Sequence, residues 1–466
     1  DSLVRDSTAS TTTAAAAASR PAYEPQRVDV AITVPKDRPE GTVVLRNAKV
    51  VTMRGATMDE VIARGDVLVR GNRIAAVGPA GSLQVPAGTR EIDVAGKTVL
   101  PGFVDTHAHL RPPFGVHKSQ VWEYLANLAY GVTTTRDPQT GTTDVLSYGD
   151  LVETGDILGP RIFSTGPGVF WSDDIRSLND ARDVLRRYTE FYRTNTIKQY
   201  MVGDRKVRQW VVMASRELGL TPTLEAGLDF RKNLTEAIDG YAGTEHSYPI
   251  APLAEDVVQL VAKSGIVYTP TLLVLYGGPW AENYWYQRHD ITTDAKLNRF
   301  TPRHEIVQRG LRRPGWWAEN QYAHPLLAAQ AKKIVDAGGR VGVGSHGQLQ
   351  GLGYHWEMWS LASGGMRPMD VLKAATVFGA DAIGMAKDLG TIDAGKLADL
   401  VVLDGDPTAD IRQTNSVRYV MKNGRLYDGD TLAEVWPRAR PLDRPWWAGE
   451  ETPAAGGAGG AGVTGR

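Results

Sequence analysis

Two histidines separated by one residue, His107 and His109, have the spacing of a metal-binding pair. They close the apolar run Val99–Asp105, which has the pattern of a buried strand. Side chains two positions apart on a strand point to the same side, so both imidazoles can bind one cation at about 2.1 Å. A bare pair of this kind is more often a surface or hydrogen-bonded pair. The strand before it is what favours a metal site.

The composition narrows the ligand set of any such metal. The 466 residues include nine histidines and no cysteine, so the ligands must be His, Asp, Glu or a modified Lys. With 52 basic and 53 acidic side chains, the net charge of -1 gives no general attraction to nucleic acid or to an anionic membrane. The sequence has no apolar run of about 18 residues, so we expect no membrane-spanning helix.

Eight strand-like segments alternate with helix-prone stretches along the middle of the chain. This pattern is typical of βα units around a parallel sheet and predicts an α/β fold, a (β/α)8 TIM barrel. In such a barrel the chemistry lies at the carboxyl ends of the strands. The predicted strands are Val99–Asp105, Gly131–Thr135, Arg161–Thr165, Thr196–Tyr200, Thr221–Glu225, Gly243–His246, Ile266–Thr271 and Val341–His346.

Short β segments flank the barrel on both sides in the sequence. Apolar runs between residues 42 and 99 are separated by turn formers, and Gly71-Asn72 indicates a hairpin. A similar pattern returns between residues 398 and 425, so we predict one small β-sandwich subdomain built from both segments. The predicted organisation is a disordered linker (1–22), the β-sandwich (23–97 and 386–435), the barrel (98–385) and a disordered tail (450–466).

Two motifs at opposite ends of the barrel region carry a family resemblance. Pro101-Gly102-Phe103-Val104-Asp105-Thr106-His107-Ala108-His109 and Gly395-Lys396-Leu397-Ala398-Asp399-Leu400-Val401-Val402-Leu403-Asp404 resemble the metal-dependent amidohydrolase superfamily. The likeness covers about residues 42–430 and is closest to bacterial members fused to a TolB-like β-propeller. It implies that an N-terminal propeller is absent from this chain, and that the protein is exported, to the periplasm or beyond, as such proteins commonly are.

The resemblance also implies a ligand set, one side chain at a time. It suggests that Lys198 is carboxylated, so that its carbamate bridges two divalent ions, and that the Tyr200 hydroxyl polarises a substrate carbonyl. A lysine that merely extends out from the strand end is the alternative. The cofactor it implies is a divalent metal, one or two ions, with Zn expected. The implied metal ligands are His107, His109, Lys198, Glu225, His246 and His346.

Two of these positions depart from the family pattern. Glu225 stands where a histidine is more common, and a carboxylate is an acceptable ligand for Zn or a harder ion. His346 stands where the family usually has an aspartate that binds metal and takes a proton from the attacking water. An imidazole can do both near neutral pH, so His346 is predicted as a catalytic residue as well as a ligand. Loss of catalysis is the alternative.

Neighbouring polar residues receive weaker predictions. Asp105 is expected to hold the ring of His107, and Glu245, of opposite parity to His246, is expected to face outward. Asp137 is expected to pair with Arg136. His355 and Glu357 are expected either to contact substrate or to orient His346, and four further histidines to be solvated or structural: His117, His289, His304 and His324.

An insertion after the seventh strand is rich in aromatic residues. As a loop above the active site it would form a lid or an apolar substrate wall. Packing against another domain or subunit is the alternative. The aromatic residues between Tyr276 and Tyr322 are Trp280, Tyr284, Trp285, Tyr286, Trp316 and Trp317.

The residues and the resemblance together predict a metal-dependent amidohydrolase that cleaves an amide or peptide-like carbon–nitrogen bond by metal-activated hydroxide. Dipeptides and N-acyl amino acids are the favoured substrates. A cyclic amide or ester hydrolase, and a non-catalytic binding or scaffold protein with a degenerate site, are the alternatives. The expected partner is a small-molecule substrate and not a nucleic acid; a homo-oligomer stays open.

Overall fold

A computed structural model describes residues 26, 28, 30, 32–311 and 315–449. The predicted linker (1–22) and tail (450–466) lie outside these described residues. The elements below belong to one unit that begins at Lys36. No helix in the described ranges is long and apolar enough to cross a bilayer.

The strands are β1 Thr42–Val51, β2 Val61–Arg70, β3 Arg73–Pro79, β4 Arg90–Asp93, β5 Thr98–Pro101, β6 Phe103–Asp105, β7 Val132–Asp137, β8 Arg161–Ser164, β9 Thr196–Gln199, β10 Thr221–Glu225, β11 Gly243–Glu245, β12 Val267–Thr269, β13 Arg340–Val341, β14 Leu400–Leu403, β15 Val417–Lys422, β16 Arg425–Asp428 and β17 Glu434–Trp436.

The α-helices are α1 Trp122–Ala129, α2 Asp144–Thr154, α3 Leu178–Arg186, α4 Arg205–Glu217, α5 Phe230–Asp239, α6 Glu255–Ser264, α7 Ala281–Tyr286, α8 Ala295–Phe300, α9 Arg303–Leu311, α10 His324–Asp336, α11 Leu352–Ser363, α12 Pro368–Ala375 and α13 Val377–Ala382.

The two flanking β segments form one nine-stranded sheet. Its order is β17-β16-β15-β14-β5-β1-β2-β3, with β4 paired to β1. The segments meet at its centre, where β5 and β14 run antiparallel and Pro101 is opposite Leu400. The predicted hairpin at Gly71-Asn72 is confirmed, because Arg70 pairs with Arg73 across it. The two-layer sandwich itself stays a prediction.

The predicted first barrel strand is wrong at Gly102, where it divides into two strands. β5 belongs to the nine-stranded sheet, and only β6 belongs with the barrel strands. A Cβ at Gly102 would lie 2.1 Å from Thr133 Oγ1, so only glycine lets the chain pass so close to β7. An apolar run shows that a strand is buried, but it does not show that the run stays in one sheet.

The strands that carry the predicted ligands are all parallel. β6, β7 and β8 form one sheet, and β9 to β13 form a second in sequential order. Ladder pairing does not join them into one closed barrel. Two backbone hydrogen bonds cross each gap. Val169 N donates to Lys198 O and Tyr200 N donates to Val169 O (both 2.9 Å), while Thr106 N donates to Val343 O (2.9 Å) and His346 N to His107 O (2.7 Å). The chain therefore has a TIM-barrel-type α/β fold built from two parallel sheets.

The aromatic insertion divides between core and surface. Trp285 and Tyr286 are buried against Trp356 of α11, and the Trp285 indole N–H donates to Ser360 Oγ (2.8 Å). Neither predicted role, lid or interface, fits these two side chains. The helix α11 is buried on every side, and the insertion covers part of its apolar surface. Trp316, in contrast, is largely exposed.

Candidate metal centre

Three of the predicted ligand histidines lie just beyond strand ends in a backbone conformation that is rare for them. The φ angles of His109, His246 and His346 are 40°, 73° and 56°. Non-glycine residues seldom adopt positive φ, and where they do the surrounding structure holds them there. Here the turn of the backbone directs each imidazole inward from the end of a different strand.

The four histidines form one buried cluster. Nε2 of His107 lies 2.9 Å from Nε2 of His109, and the ring centroids of His107 and His346 are 4.9 Å apart. His107, His246 and His346 each offer a ligand atom, all within 4.8 Å of one another. Burial lowers the pKa of His109 to about 3, helped by the charge of Lys198, and lowers those of His107 and His346 well below the ordinary value. His107, His109 and His346 are therefore neutral at pH 7 and can bind a cation.

Lys198 and Glu225 complete the cluster. Lys198 is fully buried, with Nζ 2.5 Å from Glu225 Oε2, and Glu225 Oε1 lies 3.0 Å from His246 Nε2. Burial alone would raise the pKa of Glu225, but the charge of Lys198 and the bond to His246 bring it below the ordinary value. Glu225 is therefore an anion within the cluster.

The donor set fits a divalent cation. Lys198 Nζ and Glu225 Oε2 are buried against each other at 2.5 Å, and His346 Nδ1 is buried without a hydrogen-bond partner among the described residues. A buried polar atom without a partner is costly, so His346 Nδ1, beside three other imidazoles and a carboxylate, indicates a site for a shared cation. Nitrogen and oxygen donors of this kind suit Zn and similar ions. The structure thus brings all six predicted ligands together.

Glu245 is the main residue that the sequence pattern misplaced. It is fully buried, not outward-facing, and its Oε2 accepts a hydrogen bond from His107 Nδ1 at 2.7 Å. Its Oε1 accepts from Arg136 Nη2 and Thr223 Oγ1. Strand alternation fails because β11 ends at Glu245, and the next residue turns back into the site. Arg136, near the end of β7, could have indicated the position of Glu245, because a buried arginine requires an anionic partner.

Asp105 and Asp137 accept hydrogen bonds from backbone N–H and serine hydroxyl groups, and do not contact the side chains predicted as their partners. Asp105 Oδ1 accepts from His107 N (2.9 Å) and Oδ2 from Ser345 Oγ (2.5 Å). Asp105 therefore ties together the chain segments of two predicted ligands, but it does not hold the His107 ring. Asp137 accepts from Leu110 N (3.2 Å) and Ser164 Oγ (3.1 Å), and Arg136 turns to Glu245 instead. Burial raises the pKa of Asp105 to about 6 and that of Asp137 to about 8.

His355 and Glu357 take no part in the cluster, so both predicted roles are wrong. His355 lies between Thr414 Oγ1 (3.1 Å) and Tyr130 O (2.9 Å). Glu357 accepts from the backbone N–H groups of residues 272 and 273. Their position on α11 puts them in the core.

The four remaining histidines have structural surroundings, as expected: His117 contacts Asp144, His289 contacts Asp294, His304 lies near Glu305, and His324 packs on Tyr284.

Two tyrosines border the cluster. The Tyr200 ring lies 5.0 Å from Lys198 Nζ, and burial raises the pKa of its hydroxyl, which therefore stays protonated. The Tyr276 ring lies 5.4 Å from the His246 ring, and its hydroxyl donates to Ala226 O (3.3 Å). Tyr276 was named in the sequence only as the start of the insertion, since nothing in the pattern placed it at the cluster.

A cavity of about 390 Å³ opens beside the cluster. Its lining includes His109 and His346, with Phe114 from the loop after β6 and Val145 from α2. Arg111 also lines it, and this exposed cation forms no ion pair with any residue that the structure describes. The cavity thus offers one positive charge without an ion pair among the described residues, and apolar surface, next to two of the predicted metal ligands.

The sequence profile of the Amidohydrolase family matches residues 98–427. Similar proteins include an imidazolonepropionase of Shouchella clausii (strain KSM-K16), 24% identical over 80% of this chain and 88% of that one. A second imidazolonepropionase, of Symbiobacterium thermophilum, is 26% identical over 78% of this chain and 91% of its own.

Solved structures agree on the fold. A Xaa-Pro dipeptidase with bound methionine superimposes with a TM-score of 0.63 at 20% identity, covering 83% of this chain and all of that one. A molinate hydrolase has a TM-score of 0.65 at 19% identity, covering 84% and 95%. At such identities the likeness shows the fold alone.

Proposed function

The chain belongs to the amidohydrolase family and is a hydrolase of carbon–nitrogen bonds, and we propose that its substrates are dipeptides or N-acyl amino acids. One observation carries the substrate class. Arg111, which forms no ion pair within the described part of the chain, lines the cavity beside His109 and His346. A free α-carboxylate next to the scissile amide would pair with it.

We propose that the cluster binds zinc, as one or two ions. The ligands would be the six side chains named above: His107, His109, Lys198, Glu225, His246 and His346. A bound divalent ion lowers the pKa of water and polarises a carbonyl group. We also propose the carboxylated form of Lys198, because carboxylation would replace the one cation of the cluster by an anion and strengthen cation binding.

Two side chains would act on the substrate. His346 Nδ1 has no hydrogen-bond partner among the described residues, so where this nitrogen is not bound to the metal it would take a proton and pass it to the leaving nitrogen. The Tyr200 hydroxyl stays protonated and would donate a hydrogen bond to the carbonyl oxygen.

The experiment combines metal analysis with a substrate panel. We expect at least one zinc per chain, hydrolysis of N-acyl amino acids, and much weaker hydrolysis of the corresponding amino acid amides, which lack the carboxylate. Arg111→Gln should raise KM for the acids and leave the amides unaffected. Arg70→Gln, at an exposed arginine at the end of β2, is the matched control.

Other outcomes would point elsewhere. No metal, or full activity in His107→Ala, would contradict the site. Turnover of cyclic amides or esters alone would support the alternative hydrolase. Bound metal without turnover of any amide or ester would support the scaffold alternative. Mass spectrometry of the intact protein at neutral and acidic pH tests carboxylation of Lys198, since the acid-labile form is heavier by one CO2.

We propose in addition that the two parallel sheets act as one closed (β/α)8 barrel within residues 98–385, next to a β-sandwich of residues 23–97 and 386–435. The backbone hydrogen bonds across both gaps support the first part. A TolB-like propeller and export of the protein belong to the same proposal, supported only by the resemblance of the two motifs.

A further inference from the structure

Two loops beside the candidate metal centre carry four large side chains, which we call the apolar ledge: Phe170, Trp171, Tyr200 and Met201. Phe170 and Tyr200 stack with ring centroids 4.7 Å apart and planes 9° from parallel. Trp171 and Met201 are 75% and 72% exposed. The ledge lies in the loops after β8 and β9, at the end of the barrel where the ligands lie.

The ledge is held rigidly against the centre. Val169 bonds by its N–H to Lys198 O and by its C=O to Tyr200 N, both at 2.9 Å, so the two loops are joined at the strand ends. A Cβ at Gly168 would lie 2.9 Å from the Tyr200 ring, and therefore glycine is needed for the rings to stack there. The Tyr200 ring also lies 5.0 Å from Lys198 Nζ. Rigid apolar surface within reach of the reacting atoms is suited to binding substrate.

We propose that the ledge binds a large apolar or aromatic group on the acyl side of the scissile bond. This inference rests on the proposed function, in which Arg111 holds the carboxylate on the His109–His346 side of the centre. The acyl group must then extend toward Lys198, where the ledge begins. The preferred substrates are amino acids whose amino group carries a bulky apolar acyl group, or dipeptides with such a first residue.

Two substrates that share the amino acid test the ledge, since their contact with Arg111 is identical. N-(3-phenylpropanoyl)-L-alanine should have a kcat/KM at least about tenfold above that of N-acetyl-L-alanine, because burying a ring is worth at least this factor. The double variant Trp171→Ser, Met201→Ser should bring the ratio close to one. Phe191→Ser, at a side chain 76% exposed in a helical segment outside the ledge, is the matched control and should keep the ratio.

A ratio near one in the unaltered protein, or an unchanged ratio in a folded double variant, would overturn the proposal. If neither compound is hydrolysed, the proposed function fails and the ledge is tested by calorimetry with 3-phenylpropanoate and acetate. Tighter binding of 3-phenylpropanoate that the double variant loses would support the ledge without the activity. Equal binding of the two acids would refute the ledge as well as the proposed function.

Discussion

Replacing Glu245 by glutamine should weaken metal binding strongly but leave the protein folded. Glu245 accepts hydrogen bonds from three buried donors, His107 Nδ1, Arg136 Nη2 and Thr223 Oγ1. The His107 bond fixes the tautomer that leaves Nε2 without a proton, which is the form that binds a cation. Glutamine has one acceptor oxygen for these donors, and its amide N–H groups would face either His107 Nδ1–H or the arginine.

The magnitude follows from which donor glutamine satisfies. If the oxygen stays with Arg136, the amide faces Nδ1 and favours the tautomer with the proton on Nε2, so that this ligand is lost. Loss of such an outer partner of a metal-binding histidine typically weakens binding by about 10–100-fold. Glu245→Ala is the harsher change, because an unpaired buried arginine costs about 3–5 kcal/mol and threatens the fold.

Competition with a chromophoric chelator for zinc measures the affinity directly and does not depend on turnover. Glu236→Gln is the control, because Glu236 is an equally buried glutamate that contacts Thr244 and Lys232 but no histidine. We expect Glu245→Gln to lower the zinc affinity by about one to two orders of magnitude. Glu236→Gln should change the zinc affinity by no more than about twofold, because Glu236 contacts none of the predicted metal ligands. An unchanged zinc affinity and stoichiometry in a folded Glu245→Gln protein would refute the reasoning.

Three further perturbations probe the fold and the site. Gly102→Ala places a Cβ 2.1 Å from Thr133 Oγ1 and should destabilise the protein by about 1–3 kcal/mol in chemical unfolding, whereas Gly141→Ala has open space and should not. Burial raises the pKa of Glu357 to about 8, above the value it regains on unfolding, so its contribution to stability is lost as pH rises toward 8. Between pH 5 and 8 the unfolding free energy of Glu357→Gln should therefore fall less steeply than that of the unaltered protein, by about 1.4 kcal/mol per pH unit. The same slope in both proteins would contradict this. His346→Ala should lower kcat by about 10²–10⁴ with turnover and metal content measured on the same sample, and an undiminished kcat would exclude a proton relay at His346.

The sequence predicted the assembly of the cluster better than the surroundings of each member. Six ligand candidates were assigned to strand ends, and since parallel strands end at one face, the structure brings them together. Strand parity then misplaced Glu245, because the rule holds only while the strand continues. Gly102 shows the related limit, since a change of sheet depends on a close approach between strands distant in sequence.

Residues on helices and in the insertion were the least predictable. His355 and Glu357 follow the last ligand closely in sequence, yet a helix rotates successive side chains by about 100°, so nearness along the chain does not place them in the site. The aromatic composition of the insertion suggested a lid, but Trp285 is buried because it packs on the apolar surface of α11, which the sequence of the insertion does not reveal. Polar groups that hold backbone, such as Asp105, leave no pattern in a single sequence.

The pairing of β5 with β14 at the centre of the nine-stranded sheet also bears on how the protein is made. The two strands are about 300 residues apart, so the sheet cannot close until the chain has been synthesised as far as β14. Until β14 has been synthesised, β5 has an unpaired, apolar edge at Val99 and Leu100. Such an edge can pair with a strand of another chain. Expression at low temperature or with chaperones that shield such edges should raise the yield of folded protein, and fragments that stop short of β14 should aggregate.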